Sequence, residues 1–145
     1  MRFMFIIKIA NAASLTSPTP ELLEAMHRLA EREVKAGRMI HDGGLMPRDT
    51  GAEVRLAGGK LIVMDGPFTE TKELIGGYAI FELPDRDAAV AAALEFLQLH
   101  QQFMPAWEGS CEVREVAGSQ VELIRGAGGG CGGQTQGSPP GTNAR

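Results

Sequence analysis

The chain has 145 residues, enough for one domain with a hydrophobic core and too few for two of ordinary size. Fourteen Lys plus Arg stand against 18 Asp plus Glu, a net charge of −4 spread without blocks, which argues against a nucleic-acid partner. No apolar stretch is long enough to span a bilayer, Met1–Ile9 lacks the charged start of a cleaved leader, and Cys111 and Cys131 form neither a disulfide framework nor a paired metal motif, so a soluble cytoplasmic protein without membrane contact is expected.

Phe3 to Ile9 is an almost unbroken apolar run rich in β-branched and aromatic residues, the pattern of a central strand. Residues 18–37 read as a helix: Thr19 caps it, Pro20 opens it, Leu23, Met26, Ala30 and Val34 form its apolar stripe, and Gly37 stops it. His41-Asp42 could be an acid–base pair, but neighbours in an extended segment point to opposite faces, so it reads as loop. Ala52, Val54 and Leu56 alternate with Glu53 and Arg55, Gly58-Gly59 makes a turn, and Lys60 to Met64 returns as the second arm of a hairpin. The loop from Asp65 to Glu73 closes its far end. Tyr78 to Leu83 is the next strand, and Asp85 caps a helix over 86–103 whose stripe is Val90, Leu94 and Leu97. His100 falls near the end of that helix, where a positive charge suits the dipole. Cys111 to Val116 is the last strand, with an extension through Val121 and Leu123 allowed after a turn at Gly118. Residues 1–123 are read as the domain and 124–145 as a disordered Gly/Pro-rich tail without apolar periodicity.

This order predicts an α+β fold, a ferredoxin-like sandwich with two helices on one face of an antiparallel sheet. Phe3, Phe5, Ile7 and Ile9 cannot share the helix side with Met4 and Ile6, so one apolar face is left over. A homodimer stacking two sheets would cover it.

The stretch Asp65-Gly66-Pro67-Phe68-Thr69-Glu70-Thr71-Lys72-Glu73-Leu74-Ile75-Gly76-Gly77-Tyr78, with Gly44-Leu45-x-Pro47 before the hairpin and Glu112-Val113-Arg114 at the end, resembles the DGPF branch of the YCII-related family across residues 1–117. The resemblance implies a dimeric α+β barrel built from ferredoxin-like protomers. For the wider family it implies acid–base chemistry by a His and Asp pair in a cleft between sheet and dimer partner, with His27 about where that histidine would fall. Glu115 follows Arg114 where the family often has proline.

The loop carries more chemistry than a turn requires. Asp65 at a strand end is either a general base or only a cap on the Asp-Gly-Pro turn. Gly66 admits positive φ, Pro67 sets the chain direction, and Phe68 plugs the core or a dimer interface. Glu70, Thr71 and Lys72 either present an acid, a hydroxyl and an ammonium group to a substrate or form a solvated charge run. Arg114 points opposite Val113, to hold a carboxylate ligand or Glu70, or to lie exposed on the sheet edge. His27 flanks the first helix's stripe and is either a catalytic partner or a partly buried helix histidine. No trio of ligating residues has metal spacing, so no metal or cofactor is expected. The reading that follows is cofactor-free proton transfer, elimination or isomerisation on a small organic acid, with Asp65 as base. Its alternatives are a non-catalytic metabolite-binding or regulatory module, and a loop that merely clasps a dimer.

Overall fold

In the computed structural model, which describes residues 1–10, 14, 16–66 and 74–128, the apolar run at the start of the chain is β1 (Arg2–Ile9), the inner strand that the sequence predicts. It pairs antiparallel with β5 (Leu74–Glu82) on one side and β6 (Gly109–Glu115) on the other. β2 (Met39–Gly44) adds to the far edge of β5, giving the order β2-β5-β1-β6. Helices α1 (Pro20–Lys35) and α2 (Arg86–Phe103) complete the α+β, ferredoxin-like arrangement. The hairpin of β3 (Ala52–Ala57) and β4 (Lys60–Asp65) is inserted between β2 and β5 and forms a two-stranded sheet of its own.

The caps explain where the helices begin. The Thr19 hydroxyl accepts from the Leu22 amide at 3.2 Å, and the Asp85 carboxylate accepts from the Ala88 amide at 2.8 Å. Gly37, at φ 73°, ends the turn after α1, and Gly58 and Gly59, at φ 57° and 75°, make the hairpin turn.

Each helix's buried face is rotated from the predicted apolar stripe, of which Met26, Ala30 and Leu97 are partly buried. In α2 the inward residues are Ala89 and Ala93, packed with Phe3, Phe5, Phe81 and Leu83, while Val90 and Leu94 are exposed. Small side chains let the helix approach the phenylalanines, of which Phe5 and Phe81 stack with ring centroids 4.7 Å apart. In α1 Leu22 is fully buried and Leu23 and Val34 are exposed. The inner edge of α1 carries buried Glu33, which accepts from Arg38 and Arg32, and Arg32 also pairs with Glu95 of α2 at 2.7 Å. The Arg38 guanidinium, followed by that of Arg32, holds the Glu33 carboxyl below the ordinary glutamate range.

Three further departures concern single segments. Residues 39–44, including His41 and Asp42, form a strand rather than a loop. The segment after Gly118 is a helix, α3 (Gln120–Gly128), and not a continuation of β6. Ser119 accepts from the Glu122 amide at 3.3 Å there, the first half of a capping box. α3 runs past residue 123, and 129–145 lie outside the described residues. His100 is buried, its ring against Phe96 and Trp107 and its Nδ1 3.1 Å from the Phe96 carbonyl. Desolvation pushes its pKa down, so it is held neutral and does not charge the helix end.

Candidate functional site

Alternation along the strands sorts the four-stranded sheet into two faces. Phe3, Phe5, Ala79, Phe81, Cys111 and Val113 pack in the core beside α2. Met4, Ile6, Tyr78, Ile80, Glu112 and Arg114 therefore point the other way. The register aligns them in two rows: His41 opposite Ile80, Ile80 opposite Met4 and Met4 opposite Arg114, then Gly43, Tyr78, Ile6 and Glu112 likewise. Met4, Ile6 and Ile80 make a half-buried apolar strip, with His41 and Tyr78 on one flank and a charged group on the other.

The charged group is built on Glu112, whose carboxylate forms an ion pair with Lys8 at 2.7 Å and accepts from Arg114. Lys8 first, then Arg114, hold the Glu112 carboxyl below the ordinary range. Arg114 stays 68% exposed despite this bond, so the rest of its donor fork faces solvent beside the strip.

On the opposite flank a β-bulge decides which way a histidine faces. Met39 lies opposite Phe81 and packs against the core, and His41 lies opposite Ile80, so Ile40 is an extra residue in β2. In a regular strand residues 39 and 41 share a face; the insertion puts them on opposite faces. His41 Nδ1 then sits 3.1 Å from the Tyr78 hydroxyl, and the two rings lie nearly parallel at 17° with centroids 5.6 Å apart. Gly43 leaves the tyrosine room, because a Cβ there would come within 3.0 Å of Tyr78 Cε1. Sequence reasoning missed this pair because it read His41 as loop, and period-two alternation, blind to a bulge, would have put Met39 and His41 on one side.

The residues singled out from the sequence are dispersed. Asp65 ends β4, exposed and opposite Ala52, on the hairpin face that also carries Val54, Leu56, Leu61 and Val63. His27 is exposed on α1, which belongs to the helix layer, whereas Arg114 is on the open face. Glu70, Thr71 and Lys72, with Pro67, Phe68, Thr69 and Glu73, lie outside the described residues. Gly66 does not take positive φ; it packs against the 3₁₀ turn Arg48–Thr50, and its amide donates to the Gly51 carbonyl at 3.0 Å. Among the described residues no group of three His, Cys, Asp or Glu is placed to hold a metal, and no helix is long and apolar enough to cross a membrane. Cys111, partly buried beside α2, has its thiol pushed up to about 11 by desolvation, which makes it a poor nucleophile.

Comparison with known proteins identifies the family. The family model of the YCII-related domain matches residues 1–117. An uncharacterised protein of Rhizobium meliloti (strain 1021) is 32% identical over 119 residues, spanning 79% of this chain and 92% of the relative.

Proposed function

The chain belongs to the YCII-related family, and from that premise we propose a cytoplasmic homodimer that binds a small organic acid on the open sheet face and carries out cofactor-free proton transfer, elimination or isomerisation. The observation that carries the reading is the exposed Arg114 guanidinium beside the Met4, Ile6 and Ile80 strip. An anionic head on the arginine and a carbon body on the strip is the arrangement of a small carboxylate site. Residues 1–123 are taken as the working domain, of the DGPF branch.

Asp65 is kept as the proposed base, because it ends an apolar hairpin face that a second copy would cover, closing a cleft around the carboxylate. Glu70, Thr71 and Lys72, which follow it in the sequence, would hold the substrate's polar groups. His27, exposed in the helix layer, is the least supported of the proposed partners. The dispersal of Asp65 and Arg114 over separate sheets favours a second reading, a metabolite-binding module without turnover.

A thermal-shift series with small carboxylic acids tests the site. At a hundredfold excess over Kd a binder stabilises the fold by about 2.7 kcal/mol. This shift is expected for the wild type and to vanish in Arg114→Gln. An equal shift in the variant would place binding elsewhere, and binding with no conversion of any bound acid would select the module.

A further inference from the structure

We propose that His41 and Tyr78 are a proton-transfer pair acting on a carbonyl-bearing organic acid. The proposal rests on the open face as the binding surface and needs neither Asp65 nor the loop that follows it. Three observations converge on it. The inserted Ile40 turns His41 out of the face occupied by Met39 and onto the open side. The Tyr78 hydroxyl meets His41 Nδ1 at 3.1 Å with the rings stacked. Gly43, opposite Tyr78 in the ladder, leaves the space the ring occupies. A hydrogen bond between a ring on the edge strand β2 and one on the inner strand β5 is not needed to hold the sheet, whose ladder is made by backbone. The contact is satisfied with either group as donor, and the reaction uses the tautomer in which Nδ1 carries the proton.

A neutral imidazole has one N–H and one lone pair. When Nδ1–H donates to the tyrosine oxygen, Nε2 is left as a base and the phenol O–H is free to donate outward. The row from Arg114 through Met4 and Ile80 to His41 crosses three strand spacings, roughly 14 Å, so the substrate is an acid whose ketone lies several carbons from the carboxylate that Arg114 holds. Nε2 takes a proton from the carbon next to the carbonyl: the C–H bond breaks, its electron pair becomes the carbon–carbon π bond of an enolate, and the carbonyl π pair moves to oxygen. Tyr78 O–H donates to that oxygen. The imidazolium then returns a proton to carbon, restoring the neutral ring, so protons and electrons balance without a co-reactant.

The test follows the protons beside the ketone of 7-oxooctanoate, whose carboxylate and ketone are far enough apart to lie along the row, in D₂O by proton NMR, with binding of the same acid measured in parallel by thermal shift. Wild-type protein exchanges these protons for deuterium faster than the buffer does. His41→Gln and Tyr78→Phe each lower the enhancement by about 100-fold while still binding the acid. Gly43→Ala, whose methyl crowds the Tyr78 ring, falls with Tyr78→Phe. Folded variants that bind and exchange at the wild-type rate would overturn the pair and leave the Arg114 site standing. Wild-type binding without exchange overturns the pair alone, and absence of binding removes both readings.

Discussion

A Cβ placed on Gly66 would run into the Arg48 carbonyl and come within 2.9 Å of the Asp49 Cα, both rigid backbone. The residue is glycine for want of space, and its torsion has no part in it. Gly66→Ala should therefore destabilise the protein by about 1–3 kcal/mol in urea unfolding, the range for overpacking a fixed environment. A loss near zero would mean that the 3₁₀ turn moves aside easily. That glycine is required here was legible in the Asp-Gly-Pro pattern, yet the reason was not, because close approach involves residues 48 and 49 far back in the chain. His100 makes a second case at this scale. Above the ordinary histidine value of about 6.5 it is neutral whether folded or unfolded and adds nothing to the pH dependence. Below that value the unfolded chain takes up a proton that the buried ring resists, so stability falls as the pH drops toward 5. In His100→Leu the fall in urea midpoint between pH 7 and pH 5 should be smaller than in the wild type; an equal fall would assign the sensitivity to other groups.

At the scale of elements, what could be read and what could not divide along local and non-local lines. The helix starts at Thr19-Pro20 and Asp85 and the hairpin turn at Gly58-Gly59 are written in neighbouring residues and emerge as expected. The faces of α1 and α2 are set by what lies opposite, bulky phenylalanines that select alanine and arginines that select Glu33, so the apolar stripes misplace them. α3 had a readable signal in Ser119-x-x-Glu122, outweighed by the alternation before it. The hairpin offers the element-scale test. An isolated two-stranded ribbon is marginal in water, and alanine in the left-handed region costs about 1–2 kcal/mol per residue. Replacing Gly58 and Gly59 together by alanine should abolish amide protection in β3 and β4 and leave that of β1 and β5 intact. Loss of protection in both sheets would show that the hairpin and the main sheet unfold as one.

For the molecule as a whole, the unresolved physical question is what covers Val54, Leu56, Leu61 and Val63. They share one hairpin face and are 68%, 69%, 74% and 68% exposed. Four such side chains in water form the kind of patch that marks association. If a second copy covers them, Val54→Lys with Leu61→Glu should shift the protein to monomer in sedimentation velocity without loss of helix or sheet signal. A dimer that survives the double change would move the interface to the open sheet face or the exposed side of α2. The candidate site shows the same division as the fold. Arg114 could be placed from the alternation of β6, whereas His41 and Tyr78 come together only through a bulge and a cross-strand register.

The bulge at Ile40 has one more consequence, because β2 is an edge strand. A straight edge is a template on which another chain can add a strand, and one inserted residue spoils the spacing of its free N–H and C=O groups. The residue that aims His41 thus also protects the sheet from aggregation, so selection against sticky edges and selection for the histidine's orientation would preserve the same irregularity.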